Sequence, residues 1–106
     1  MFGKKKKQLG MSVDELRKLD RRGLKYACER DSETAREIKI GDSGAINIID
    51  GCFVLVCGGK YVFRCSLGEL RAAELMNLSG ITLKGFDLET NRERSIIAYY
   101  TENRLI

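Results

Sequence analysis

Histidine is absent from this chain of 106 residues. Histidine is the side chain that ordinarily changes its charge near neutral pH, and it is the usual general base and a common metal ligand. Its absence excludes nucleophilic triads built on histidine, and it excludes iron sites formed by two histidines and a carboxylate. An enzyme with this sequence would need another group for proton transfer.

Other signatures of catalysis or cofactor binding are also missing. The pair Gly58-Gly59 has neither the glycine spacing nor the following Lys-Ser/Thr of a phosphate-binding loop. The four cysteines are Cys28, Cys52, Cys57 and Cys65. None of them occurs at the Cys-x-x-Cys spacing of zinc sites. We therefore expect no catalytic residues, no metal and no cofactor.

Long apolar segments are missing as well. No run approaches the roughly 18 apolar residues that a membrane-spanning helix requires. No apolar segment follows the N-terminal lysines, as it would in a secretory signal. These features predict a cytoplasmic protein without a transmembrane segment, in surroundings that keep thiols reduced.

What the sequence does contain is positive charge concentrated near its start. Residues 1–30 carry ten Lys/Arg and four Asp/Glu, a net charge of +6, whereas residues 31–106 carry nine and eleven, a net charge of −2. Residues 1–11 are interpreted as a flexible basic arm. Its lysines are Lys4, Lys5, Lys6 and Lys7. The arm is either a solvated start of the chain or a contact for nucleic-acid phosphates or anionic lipid head groups.

Two segments of the sequence repeat each other. The motif Ser-x-x-Glu-Leu-Arg occurs at residues 12–17 and 66–71, and Asp-x-Glu-Thr-x-Arg-Glu occurs at residues 31–37 and 87–93. Fixed-period similarity can record a duplication. Capping boxes and Asx turns can also converge on the same residues. Both explanations predict the same local structure in both copies.

Residues 12–106 are predicted to form a single globular domain. The capping-box spacing of Ser12 predicts a helix over residues 13–22. A second helix is expected near residues 67–77, where Leu-Arg-Ala-Ala-Glu-Leu-Met has high helix propensity. A turn followed by a strand is the alternative for that segment.

The remaining segments have the alternation or the apolar runs of β-strands. Asp50-Gly51 and Gly58-Gly59 separate three apolar runs and predict two hairpins, hence an antiparallel meander in the middle of the chain. Strands are expected at residues 24–28, 36–40, 45–49, 52–57, 60–65, 81–86 and 92–100.

The second of these hairpins allows two registers. If only Gly58-Gly59 forms the turn, Cys52 lies opposite Cys65, and the two thiols form a candidate redox pair. If Lys60 joins the turn, one face of the meander becomes apolar throughout, and we favour this register because a one-residue slip would exchange the faces. That apolar face consists of Ile46, Ile48, Phe53, Leu55, Tyr61 and Phe63. Asn47, Val62 and Arg64 are expected on the other face.

The middle of the chain resembles small bacterial pleckstrin-homology-like or GRAM-like domains. The resemblance covers residues 45–70 and is carried by Ile-x-Ile-x-Asp-Gly-x-Phe-x-Leu from Ile46, Gly-x-x-Val-Phe from Gly59, and Leu-x-Glu-Leu from Leu67. It implies a strongly bent antiparallel sheet of about seven strands. It also implies a binding or scaffold module without catalytic residues.

The sequence thus predicts an α+β fold that is rich in β-structure, an antiparallel meander in a bent sheet or partly open barrel with two helices. The expected function is that of a non-catalytic interaction or scaffold domain. It would bind protein through a sheet edge or face, and self-association is the simplest case. The alternative is weak binding of nucleic acid or an anionic membrane surface through the basic arm.

Overall fold

Antiparallel strand pairing dominates the computed structural model, which describes residues 10–31 and 33–101. A single short helix, α1 (Val13–Arg17), precedes seven strands. The strands are β1 (Gly23–Arg30), β2 (Glu37–Ile49), β3 (Cys52–Cys57), β4 (Lys60–Ser66), β5 (Arg71–Glu74), β6 (Gly80–Asp87) and β7 (Arg92–Tyr100). They form one open sheet in the order β4-β3-β2-β1-β7-β6-β5. The prediction of a β-rich antiparallel fold is confirmed.

Helix α1 begins where the capping box predicts. The Ser12 hydroxyl accepts a hydrogen bond from the Glu15 N–H, and the Glu15 carboxylate accepts one from the Ser12 N–H. The helix ends at Arg17 rather than at residue 22, because the chain turns early to reach β2, where the Arg21 N–H donates to the Ile46 carbonyl. No helix in the described part of the chain is long and apolar enough to cross a membrane.

The second expected helix does not form. Residues 67–69 make a turn, and β5 follows as the strand that pairs with β6. A helix of about ten residues is marginal in water, so its propensity is easily overridden by tertiary contacts. Here the strand buries Ala72 while the turn buries Leu67 and Leu70 in the core. The alternative of a turn and a strand is the correct one.

The central meander forms with the register that we favoured over most of its length. Asp50 and Gly51 both have positive φ, 50° and 76°, as a two-residue hairpin turn of type I′ requires. In the next hairpin Leu55 pairs with Phe63, but Val56 pairs with Tyr61, so the pairing shifts by one residue next to the turn.

Because of this shift, our predictions for two side chains were wrong. Val62 is the extra residue of the bulge and packs against the core, whereas we expected it on the opposite face. Tyr61 was expected in the core and is instead 44% exposed. The reason is geometric, because one inserted residue moves every side chain beyond it to the other face.

The core lies on the concave side of the bent sheet. Its largest fully buried apolar side chains are Phe53, Phe63, Leu16, Leu24, Ile46, Leu55, Ile81, Leu83 and Ile96. These residues come from α1 and from β1, β2, β3, β4, β6 and β7, so the bend of the sheet lets nearly every element contribute to one cluster.

The outer edge of β4 is closed by the loop between β6 and β7. The Arg64 N–H donates to Asp87 Oδ1 at 2.9 Å, and the Arg64 carbonyl accepts from the Leu88 N–H at 2.7 Å. Arg94 Nη1 donates to the Val62 carbonyl at 3.1 Å and to Asp87 Oδ2 at 2.6 Å. Side-chain and backbone groups of the β6–β7 hairpin thus supply the contacts that another strand would make.

The described residues of the two Asp-x-Glu-Thr-x-Arg loops share a hydrogen bond and a backbone conformation. Asp31 Oδ1 accepts from the Glu33 N–H at 2.8 Å, and Asp87 Oδ1 accepts from the Glu89 N–H at 3.0 Å. The fifth residue is left-handed in both, with φ of 59° at Ala35 and 63° at the corresponding asparagine. The equivalence predicted by the second repeated motif is confirmed, whereas the first motif makes a helix in one copy and a turn in the other.

Removal of the Asp87 carboxylate should destabilise the fold far more than the same change in the first loop. Asp87→Ala leaves Arg94 buried without this partner, and breaking a buried ion pair costs about 3–5 kcal/mol. Asp31→Ala removes only exposed turn hydrogen bonds, worth about 1 kcal/mol each. Urea melts of both variants test this. Equal losses would show that the β4 edge does not depend on Asp87.

Acid should weaken the same contact. The folded-state pKa of Asp87 lies below its ordinary value, because hydrogen bonds from Thr90, Arg64 and Arg94 together outweigh the effect of burial. A lowered pKa gives stability that is present above the ordinary carboxyl pKa of about 4 and is lost as the pH falls further. In melts from pH 7 to pH 2, wild type should lose stability below about pH 4, and Asp87→Ala should lose less.

A left-handed alanine should make the first loop strained. An L-residue other than glycine, asparagine or aspartate pays roughly 1–2 kcal/mol in this conformation. Ala35→Asn should therefore raise the free energy of unfolding by about 0.5–1 kcal/mol, and Asn91→Ala should lower it by a similar amount. Thermal melts of the two variants measure both effects, and changes of the same sign would contradict the argument.

Candidate functional site

The two terminal edges of the sheet are already engaged by other parts of the chain. On β4, the backbone groups of Val62 and Arg64 that face outward bond to the β6–β7 hairpin. On β5, the Ala72 carbonyl accepts a hydrogen bond from the Met11 N–H at 2.8 Å. Free backbone groups on an exposed strand readily pair with another chain. These contacts make β4 and β5 poor places for such pairing.

Strand β2 provides a third edge that is free. It has 13 residues, but its pairing with β3 begins only at Gly44, which lies opposite Cys57. Residues 37–43 therefore extend past β3, and those among them that are paired have their partners in β1 alone. We call residues 37–43 the free edge. Its outermost side chains are exposed, and Ile38 is 59% exposed.

The hydrogen-bonding pattern shows which backbone groups of the free edge point away from β1. The Asp31 N–H donates to the Arg36 carbonyl at 2.9 Å, so this pair is hydrogen-bonded across the hairpin. Antiparallel pairs alternate between hydrogen-bonded and non-hydrogen-bonded positions. Glu37 and Lys39 therefore direct their N–H and C=O groups outward, and Ile38 directs its groups to β1. No backbone hydrogen bond from elsewhere in the described ranges reaches those outward groups.

The side chains beside the free edge are held by ion pairs and ring contacts. Glu37 bonds Arg30 at 3.2 Å. Lys39 bonds Asp42 at 3.0 Å and lies over the ring of Tyr26, 5.1 Å from its centroid. The hydrogen bond that the Lys39 ammonium group donates to Asp42 raises the pKa of Lys39 and favours its charged form. Residues 37–39 of the free edge thus present one carboxylate and one ammonium group, two residues apart.

A cleft of about 430 Å³ lies where β1 ends, between the first repeated loop and β7. Ile38 contributes to its wall, so the cleft adjoins the free edge. Its charged lining residues are Glu29, Arg30, Asp31, Lys84, Arg92, Glu93 and Arg94. Because both signs of charge are present in similar number, the cleft has no strong preference for an anion or a cation.

Ion pairs fix the charge states of Glu29 and Arg94, which line this cleft. Hydrogen bonds from Arg94 and Arg92 hold the pKa of Glu29 below its ordinary value. Burial alone would lower the pKa of Arg94, but its bonds to Glu29 and Asp87 raise it. A general acid or base at neutral pH needs a pKa near 7. These groups are therefore suited to holding the fold together and not to proton transfer.

Three of the four cysteines have weakly acidic thiols. Burial raises the pKa values of Cys28, Cys57 and Cys65, the last to about 11. The thiolate is the reactive form, so these three thiols are poor nucleophiles.

The candidate redox pair required Cys52 to lie opposite Cys65, and the strands do not have this register at these residues. Cys52 lies opposite Ser66 and Cys65 lies opposite Phe53, so the two cysteines are adjacent diagonally and project to opposite faces. All four cysteines are free thiols.

Two further sequence-based expectations concern the basic arm and metal binding. Lys4, Lys5, Lys6 and Lys7 lie outside the described residues, so their role as an anionic-surface contact stays a prediction. Within residues 10–31 and 33–101, no group of three or more potential ligand residues has the arrangement of a metal site.

The comparisons with known proteins add no family to this geometry. No protein-family model matches the chain, and neither a curated protein nor a solved structure is significantly similar to it. The resemblance to pleckstrin-homology-like and GRAM-like domains therefore stays a prediction.

Sequence reasoning missed the free edge because two short strands were expected where one long strand forms. Gly41 and Gly44 interrupt the apolar pattern and led us to end the first strand at residue 40. In the structure both glycines let β2 bend around Cys57, since a Cβ at either position would lie within 3 Å of its sulfur atom. Two glycines spaced three apart between apolar runs were the available signal of a bent continuous strand.

Cysteine alkylation at pH 8 should follow burial. Cys52 is only half-buried, whereas Cys65 is fully buried and has its pKa raised to about 11. Cys52 should react first, and Cys65 should react at least about a hundredfold more slowly, because only about one in a thousand of its thiols is ionised at that pH. Mass spectrometry of native protein with iodoacetamide measures the order. Fast reaction at Cys65 would reveal an activated thiol.

Proposed function

We propose that this chain is a non-catalytic interaction module that binds an extended protein segment by β-augmentation along the free edge. The observation that carries the proposal is that β2 extends beyond β3 by seven residues, 37–43, with outward-facing backbone groups at Glu37 and Lys39. An added strand would satisfy these groups through main-chain hydrogen bonds, which are the source of affinity in this mode.

The other two edges of the sheet are occupied by contacts within the chain, and this favours binding at the free edge. The β4 edge is held by Asp87, Leu88 and Arg94, and the β5 edge is approached by Met11. A partner at either edge would have to displace existing hydrogen bonds. At the free edge a partner displaces only water. Each new hydrogen bond therefore contributes its net free energy to binding, because no hydrogen bond within the chain is lost.

Side chains along the free edge would provide selectivity. Residues on alternate positions of an added strand face opposite sides of the sheet. On one side the partner would meet Ile38 and the charged cleft, and on the other it would meet Glu37, Lys39 and the stacked rings of Tyr26 and Tyr99, whose centroids are 4.8 Å apart. A segment with an apolar residue flanked by charged residues fits this arrangement.

We place this module in the cytoplasm. Its four thiols are free and three of them are buried, an arrangement that a reducing compartment maintains. The basic arm of residues 1–11 is not needed for the proposed mode of binding.

A proline at Lys39 tests the proposal with little effect on the fold. Lys39→Pro removes an outward N–H that takes no part in the pairing with β1, and edge strands tolerate proline at such positions. Lys39→Ala is the matched control, because it removes the charge and keeps the N–H. The probe is a set of peptides that are selected for binding to the wild-type protein from a displayed library of unstructured segments.

Calorimetry should show that the selected peptides lose about tenfold or more in affinity for Lys39→Pro and much less for Lys39→Ala. Hydrogen exchange should show slower exchange of the Glu37 and Lys39 amides when peptide is bound. Peptides that bind both variants equally, or that protect β4 or β5 instead, would refute binding at the free edge.

A further inference from the structure

We infer that the free edge is built to pair with the same edge of a second copy of this chain, antiparallel, about a two-fold axis at Ile38. This inference rests on the proposed function and names its occupant. Residues 37–39 would form a symmetric contact in which each copy contributes the same three residues, as a two-fold interface requires. The two seven-stranded sheets would then be joined through their β2 strands.

The direction of the backbone groups limits the registers that two free edges can adopt. Glu37 and Lys39 point their N–H and C=O groups outward, whereas Ile38 points its groups to β1. Hydrogen-bonded pairs between the copies must therefore join an outward residue to an outward residue. A two-fold axis at Glu37, at Ile38 or at Lys39 satisfies this condition. An axis midway between two neighbouring residues does not, because it would pair an outward residue with one that points to β1.

Charge selects one of these three centres. A centre at Glu37 places two carboxylates opposite each other, and a centre at Lys39 places two ammonium groups opposite each other. Only the centre at Ile38 places Glu37 of each copy opposite Lys39 of the other. Opposite charges at directly facing positions stabilise an antiparallel pair, and like charges destabilise it.

The same register covers the exposed isoleucine. With the axis at Ile38, the two isoleucines form a non-hydrogen-bonded pair, in which facing side chains approach most closely. Ile38 is 59% exposed in the single chain, a large value for an isoleucine on a strand. The contact is short, because it is centred on three residues of each copy, so the dimer is a weak and concentration-dependent one.

Charge reversal tests the register. Glu37→Lys and Lys39→Glu each place like charges opposite each other twice in a homodimer, and each should weaken self-association by about tenfold or more. An equimolar mixture of the two variants restores opposite charges at both positions, so it should associate about as well as wild type. The double variant, with both residues exchanged, should also recover. Sedimentation velocity over a range of concentrations measures all four cases.

Both residues also have partners within the single chain, so the variants need a control for folding. Glu37 bonds Arg30 and Lys39 bonds Asp42. Urea melts should show that each variant remains folded under the conditions of sedimentation. Recovery in the mixture is the decisive result, because neither loss of an internal ion pair nor partial unfolding of one variant would be reversed by adding the other.

Oxidative cross-linking tests the axis independently of charge. In Ile38→Cys the two new thiols face each other at the centre, within the range that a disulfide requires. In Arg36→Cys, a matched exposed position, the thiols would be four residues apart along the pairing, or about 13 Å. Air oxidation followed by non-reducing electrophoresis should give a covalent dimer from the first variant and much less from the second.

The outcomes separate this inference from the proposed function. A chain that stays monomeric at all concentrations, or variants and mixtures that associate alike, would overturn the two-fold pairing. Peptide binding that is sensitive to Lys39→Pro would still support the free edge in that case. Two results together would establish the inference. Lys39→Pro should abolish self-association, and mixing Glu37→Lys with Lys39→Glu should restore the association that each of these two variants loses alone.

Discussion

The buried ion pair between Arg94 and Asp87 holds β4, one end of the open sheet, against the β6–β7 hairpin. Asp87 is fully buried, and its carboxylate accepts hydrogen bonds from the Arg64 N–H, from Thr90 and from Arg94. Removing a carboxylate from water is expensive unless its lone pairs are satisfied. Glu89, Thr90 and Arg94 of the same hairpin donate to this carboxylate, and the Arg64 N–H of β4 adds a further hydrogen bond. The contacts around this buried charge thus hold β4 against the β6–β7 hairpin and help to maintain the bend of the sheet.

That bend decides which edges remain available. Because the β6–β7 hairpin closes the outer side of β4, the meander cannot extend in that direction, and Met11 occupies part of β5. Strand β2 passes the end of β3 and leaves residues 37–43 paired on one side only. The proposed binding surface is thus a consequence of strand lengths, and its charges and its exposed isoleucine make it specific.

The repeated loops show how one local structure can serve two purposes. Both use an aspartate to bond the backbone two residues on, and both place their fifth residue in the left-handed region. In the first loop the aspartate is exposed and shapes only the turn. In the second it is buried and binds Arg94. The difference comes from the neighbours, because the second loop alone lies against β4.

The sequence by itself determined the local features whose causes are local. The capping box at Ser12, the Asp50-Gly51 turn, the two Asx loops and the apolar face of the meander all follow from residues close together in the chain. Tertiary contacts decided the rest. Residues 71–74 became a strand because β6 offered a partner, and the bulge at Val62 moved Tyr61 out of the core. The free edge exists because β2 and β3 differ in length, and such a difference depends on pairing between distant segments that no local pattern records.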